Sequence, residues 1–218
     1  LMHRTEGRPI PAGVIRPTAA LSFGFILLFF GQSILIVVAG LLTAFLALLS
    51  AFLYVVIYTP MKRLSWINTS LGAVPGAMPP LGGWTAATGE IELGAWVFFI
   101  ILFAWQHPHF FAIAWIFRDD YRRGGFKMLP VQDIEGNRTC RQIIYFSVLL
   151  LIVSLMPTFL GLTGKVYLVG ALILGSMLLA SAVYLIQERS NYGARKLLQA
   201  TIFYLPLLFI LCLIDSGF

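Results

Sequence analysis

The chain has 218 residues, of which 59% are hydrophobic and only 11% charged, against roughly 25% charged in soluble proteins. Its 15 Lys and Arg outnumber its 9 Asp and Glu, a formal net charge of +6. A water-soluble globule is excluded, and the placement of the cations between apolar runs argues for a membrane edge, not for nucleic acid.

In chain order, charge-free runs extend over Pro17–Met61, Leu64–Gly89, Leu93–Phe117, Gln142–Gly164, Val166–Gln187 and Leu197–Ile214. A bilayer core of about 30 Å takes about 20 helical residues. Each of the five shorter runs therefore fits one span, and the first fits two with a tight turn near Ala39 and Gly40. None alternates in the manner of barrel strands. The expected fold is all-α: a polytopic transmembrane helical bundle with seven spans at Pro17–Val38, Leu41–Tyr58, Asn68–Thr88, Leu93–Phe117, Gln142–Leu162, Val166–Gln187 and Leu197–Ser216. No apolar stretch precedes Pro17, so no signal peptide is expected. Cys140 and Cys212 fall near opposite ends of the bundle and are too far apart to pair.

The inter-span segments alternate in charge. Arg4, Arg8 and Arg16, then Lys62 and Arg63, then the six cations of residues 118–141, then Arg189, Arg195 and Lys196 fall on one side, while Lys165 joins Glu90, Glu92 and Asp215 on the other. The basic side is the cytoplasmic face or its matrix equivalent, with the N-terminus inside.

Three segments carry chemistry. In the third span Gly72, Pro75, Gly76, Pro79, Pro80, Gly82 and Gly83 crowd together, which predicts a kinked or unwound helix that either packs closely or lines a cavity; Asn68 at its start is an N-cap or a polar ligand. In the fourth span, His107 and His109 flank Pro108 and point to different sides. Each is either a packing histidine or a functional group. The segment 118–141 opens with Arg118-Asp119-Asp120-Tyr121-Arg122-Arg123, readable as snorkelling stop-transfer charges or as carboxylates holding Mg²⁺ beside a phosphate.

Met2-His3-Arg4-Thr5-Glu6-Gly7-Arg8-Pro9, Tyr58-Thr59-Pro60-Met61-Lys62-Arg63 with the Asn68–Trp84 segment, Trp105-Gln106-His107-Pro108-His109-Phe110, and Arg118-Asp119-Asp120-Tyr121 with Gly124, Gly125 and Pro130 occur in this order. Together they resemble the haem O synthases, the protoheme farnesyltransferases among the UbiA-type intramembrane prenyltransferases. The resemblance implies a nine-helix bundle around a cavity, binding of Mg²⁺ and farnesyl diphosphate at its cytoplasmic mouth, and transfer of the farnesyl group to a vinyl group of haem B with addition of water. It implies Asp120 and Asp119 as metal ligands and catalytic groups, and Lys62 as a catalytic and phosphate-binding group. Arg4, Arg8, Arg63, Asn68 and Arg122 would join Lys62 on the diphosphate, and His109 and His107 would face the haem. Residues 1–218 would form one membrane-embedded domain of a bacterial or mitochondrial inner membrane, serving haem A synthase or terminal oxidase assembly downstream. The family's first acidic motif, expected just upstream of Arg4-Thr5, has no counterpart here, so the first two helices are expected to be missing and the 218-residue stretch alone inactive. The competing readings are a UbiA-type transferase acting on an aromatic quinone precursor and a secondary transporter. No inverted repeat is visible to favour the transporter, and the acids lie at the membrane edge.

The charge alternation predicts that a cysteine introduced as Gly89→Cys reacts with an impermeant thiol reagent from the side opposite the basic segments. Labelling from the basic side alone would overturn the topology.

Overall fold

The computed structural model describes residue 2 and residues 5–216, and among these the regular structure is helical, with one isolated bridge between Thr163 and Ser216. The helices are α1 (Pro17–Phe52), continued by a π-helical turn (Leu53–Tyr58), α2 (Thr59–Leu64), α3 (Asn68–Gly76), α4 (Met78–Thr88), α5 (Leu93–Ile116), α6 (Arg118–Arg123), α7 (Leu129–Gln132), α8 (Asn137–Phe159), α9 (Lys165–Glu188) and α10 (Asn191–Asp215).

Five helical stretches among the described residues are long and apolar enough to cross a membrane, against the seven spans expected. The difference arises at two places. The first stretch, Pro17–Leu64, is 48 residues long and breaks at Gly40, whose φ of 86° and ψ of 166° are non-helical and open to glycine without steric cost. Beyond the break the chain folds back: Leu21 and Leu28 of the first arm share a groove with Val55 and Leu48 of the second. This stretch is thus a hairpin of two arms. The other place is the proline-rich third span, divided at Ala77 into α3 and α4, neither long enough alone. Large apolar side chains such as Val37 (84% exposed) and Leu213 (78%) cover the outer surface, as suits contact with lipid.

The division at Ala77 has a backbone cause. In a continuous helix the carbonyl of Pro75 would accept from residue 79, and that of Gly76 from residue 80; both are prolines and carry no N–H. The Ser50 hydroxyl, from the second arm of the hairpin, donates to the Pro75 carbonyl at 3.0 Å. Gln106 of α5 reaches in from the other side, its amide donating to the carbonyls of Ala73 and Leu102 at 3.2 Å each. A side chain on Gly76 would collide with Gln106, so the glycine permits this approach. Above the break, Thr43 of α1 bonds Thr85 of α4 at 2.9 Å, while Thr85 donates to the Gly82 carbonyl.

The remaining bundle is built on α5, which packs against α3, α4, α8 and α10. Val97, Ile101 and Ala104 of α5 join Phe146 and Leu150 of α8, Tyr167, Ala171 and Leu178 of α9, and Tyr204 and Leu208 of α10 in one core. Two polar groups in and beside it pair across helices, Tyr204 donating to Ser154 at 2.7 Å and the Trp105 indole to the Thr201 carbonyl at 2.8 Å, while the buried Tyr167 hydroxyl has no partner among the described residues. At the end away from the basic segments, Asp215 accepts from the Tyr167 N–H at 2.7 Å, closing α10 onto the first turn of α9.

Ser50→Ala removes the hydroxyl that donates to the Pro75 carbonyl while leaving packing nearly intact. It is expected to lower stability by about 1–3 kcal/mol, the cost of an unsatisfied buried acceptor, read as a lower thermal midpoint in detergent. An unchanged midpoint would show that the carbonyl is satisfied otherwise.

Candidate active site

The connections on the basic side meet over one cavity. The π-helical turn bonds over i→i+5, one residue longer than the i→i+4 of an α-helix, and it leads into α2 with the rings of Tyr54 and Tyr58 5.2 Å apart. Lys62, one turn further, carries its ammonium over both rings, 4.3 Å from the Tyr58 centroid and 5.5 Å from that of Tyr54. On the facing side α5 ends at Phe117, α6 follows, and the chain reverses at Gly124 and Gly125, the latter at φ +72°. The reversal sets Phe126 edge-on to Tyr121, with centroids 6.0 Å apart.

Between these walls lies a cavity of about 260 Å³ lined by Met2, Thr5, Arg8, Tyr58, Lys62, Phe110, Tyr121, Phe126 and Met128. Two cations and four aromatic rings line it, and no carboxylate does among the described residues. Such a chamber attracts an anionic group and offers apolar, π-rich surface to whatever hangs from it.

The residues singled out in the sequence are distributed as follows. Arg8 and Lys62 come together in the cavity lining. Arg63 is exposed beside it, its guanidinium 5.9 Å from the Phe126 centroid. Arg4 lies outside the described residues. Arg122 is paired with Asp119 at 3.2 Å, both side chains largely in solvent. Asp119 lines a different cavity of about 550 Å³ with Arg118, Glu135 and Arg189. The Asp120 side chain is only 10% exposed and pairs with Arg123, directly before Tyr121 in the wall. The adjacent carboxylates thus diverge, as successive residues on a helix must.

Asn68 is fully buried, and its amide donates to the Ser65 carbonyl at 2.6 Å and the Lys127 carbonyl at 3.1 Å. Ile67, not Asn68, occupies the N-cap position of α3. His107 is also fully buried; Nδ1 lies 2.8 Å from the Phe103 carbonyl and Nε2 3.0 Å from the Ser70 hydroxyl, with the ring stacked on Phe146. A carbonyl can only accept, so Nδ1 carries the proton and Nε2 accepts from Ser70. His109 points instead to α10: Nδ1 is 2.9 Å from the Thr201 hydroxyl, and its ring stacks on Trp105. Thr201 donates its own proton to the Leu198 carbonyl at 2.6 Å, so His109 donates from Nδ1 and keeps a lone pair on Nε2.

Tyr58, Phe110, Tyr121 and Phe126 were not among the site residues expected from sequence. Tyr58 stands one helical turn before Lys62, and Tyr121 and Phe126 bracket the glycine pair; that spacing relative to charged and turn residues was the available signal.

Comparison with known proteins bears on what such a site does. Residues 1–211 match the UbiA prenyltransferase family. The protoheme IX farnesyltransferase of Solibacter usitatus is 46% identical over 214 residues, which span 98% of this chain and 73% of that protein. That of Salinibacter ruber is 44% identical over 214 residues, 98% of this chain and 76% of its own length. A solved structure of digeranylgeranylglyceryl phosphate synthase superposes with a TM-score of 0.79 at 18% identity, covering 98% of this chain and 75% of that one, and shares the fold.

The two histidines should respond differently to truncation. His107→Ala takes the imidazole acceptor from the half-buried Ser70 hydroxyl and empties the space against Phe146, an expected loss of about 2–5 kcal/mol. His109→Ala breaks one recorded hydrogen bond at a half-buried position and should cost about half as much or less. Thermal midpoints measured side by side decide it; a greater loss at His109 would reverse the assignment.

Proposed function

We propose that this chain, which belongs to the protoheme IX farnesyltransferases of the UbiA prenyltransferase family, transfers the farnesyl group of farnesyl diphosphate to a vinyl group of haem B. It is an integral membrane prenyltransferase, and the bacterial inner membrane, with the basic segments inward, is its proposed location. The observation that carries the substrate reading is the cavity in which Arg8 and Lys62 stand beside Tyr58, Phe110, Tyr121 and Phe126. Its cations suit a diphosphate and its rings suit the allylic chain attached to it.

In this reading Arg8 and Lys62 balance the charge that builds on the diphosphate as its bond to farnesyl C1 breaks and the electron pair leaves with it. The positive charge left on the allylic carbons is met by the faces of the aromatic residues, which also keep water from quenching it. The outer carbon of a haem vinyl group then donates its π pair to C1. Water adds to the cation formed beside the porphyrin and loses a proton, giving a hydroxyethylfarnesyl group. The product, haem O, would pass to haem A synthesis or terminal oxidase assembly. His109, with its lone pair on Nε2, is the histidine proposed to meet the haem; His107 uses both ring nitrogens within the protein.

The Mg²⁺ that the sequence resemblance implies is not accommodated by the described residues alone. Among them no three His, Cys, Asp or Glu side chains gather closely enough to hold an ion, and Asp119 and Asp120 face different surroundings. Asp120 is suited to be one ligand, being nearly buried and next to the cavity wall; no step above depends on it.

The protein expressed from its complete reading frame and placed in lipid nanodiscs with farnesyl diphosphate and haem B should yield a pigment heavier by a farnesyl group and one hydroxyl group, read by mass spectrometry. Unchanged haem together with prenylation of a phenolic acid would move the enzyme to the quinone-precursor branch; unchanged haem with substrate-driven uptake into vesicles would favour a transporter. In the active enzyme, Asp120→Asn is expected to lower turnover at least ~10²-fold, while Asp119→Asn stays within about threefold because its charge is already solvated. Equal losses at the two positions would return both to a shared role.

A further inference from the structure

Asn68 ties together two segments that are far apart in sequence and both line the cavity. Its amide holds the Lys127 carbonyl at 3.1 Å across 59 residues, and the Lys127 N–H donates in turn to the Lys62 carbonyl at 2.8 Å. Lys127 is therefore held through both its backbone N–H and its carbonyl, between Phe126 and Met128, which line the cavity, and opposite Lys62, which lines it from the other wall. The same amide grips the Ser65 carbonyl at 2.6 Å, fixing the bend that follows α2. With no exposed surface and its amide engaged by two backbone carbonyls, Asn68 does not offer that amide to a phosphate.

We infer that Asn68 is a positioning residue that sets the separation of the two cavity walls, holding Lys62 and the Phe126–Met128 strand of backbone at the distance a diphosphate requires. Its substrate arm rests on the farnesyl diphosphate reading; its structural arm does not. Only an amide serves at this position: an isosteric carboxylate would set negative charge against two carbonyl oxygens, and alanine would leave the Lys127 carbonyl without this donor while the Ser65 carbonyl keeps the backbone N–H of residue 68 at 3.2 Å.

Hydrogen exchange in nanodiscs without substrate tests the structural arm. In Asn68→Ala the Lys127 amide should exchange at least about tenfold faster, while amides in the middle of α5 and α8 keep wild-type protection. In turnover, Asn68→Ala and Lys127→Pro, which deletes the N–H to Lys62, should each raise the KM for farnesyl diphosphate about tenfold and leave the KM for haem within about twofold. Unchanged Lys127 exchange in Asn68→Ala overturns the inference. So does loss of protection throughout the bundle, which would make Asn68 a general stability residue, and so does an equal rise in both KM values. An inactive wild-type enzyme with the expected exchange pattern would count against the substrate reading, not against the tie.

Discussion

A carbonyl without a partner inside a membrane organises this bundle. Pro79 cannot donate to Pro75 and Pro80 cannot donate to Gly76, and hydrocarbon supplies no water in their place. The Ser50 hydroxyl of the hairpin comes to the Pro75 carbonyl, and beside the break the Gln106 amide of α5 reaches the Ala73 carbonyl, one turn earlier. Those two contacts draw the second hairpin arm and α5 onto α3 from different directions. The arm continues into Tyr58 and Lys62, and the same face of α5 continues toward Phe110, so the repair of the break also sets where the cavity walls meet.

The alternation of basic and acidic connections, the reversal at Gly40 and the divided third span were legible in the sequence, because each rests on a local property: charge, glycine freedom or a missing N–H. The partners of the polar side chains were not. Nothing in the order of residues shows that Asn68 reaches Lys127, that His107 meets Ser70, or that His109 meets Thr201; these depend on how helices rotate against one another. The adjacent aspartates illustrate the limit most directly. Neighbouring positions suggested one shared role, yet a helix turns about 100° per residue, which is enough to bury one carboxylate and leave the other in water.

Cations at the basic end also divide their duties in a way that a charge tally hides. Arg138 lies over Trp66 at 5.1 Å, Arg118 over Trp115 at 4.8 Å, and Lys196 between Tyr184 and Tyr192 at 4.5 and 4.6 Å. Arg189, in the left-handed region at φ 47°, clamps the Glu135 carbonyl and Asn137. These groups hold the helix ends together where the bilayer gives way to water, and the aromatic faces offer them favourable contact there; two guanidinium nitrogens of Arg118 are buried against this surface. Arg8 and Lys62 are distinguished from them by sharing a cavity with no carboxylate in its lining among the described residues, whereas Arg118 and Arg189 share theirs with Asp119 and Glu135.

The reversal at Gly40 bears on how the protein is made. A straight helix over the 48 residues of Pro17–Leu64 would be about 72 Å long, more than twice the ~30 Å hydrocarbon core. The turn itself, Val38-Ala39-Gly40-Leu41, has no charged or hydrogen-bonding side chain to hold it in water on the far side. Neither arm therefore has a stopping signal at that end; the only charged anchors are Arg16 at one foot and Lys62 and Arg63 at the other, both on the basic side. The two arms must partition from the insertion machinery as a single hairpin, and a bulkier residue at Gly40 would compromise biogenesis before it reached any question of activity.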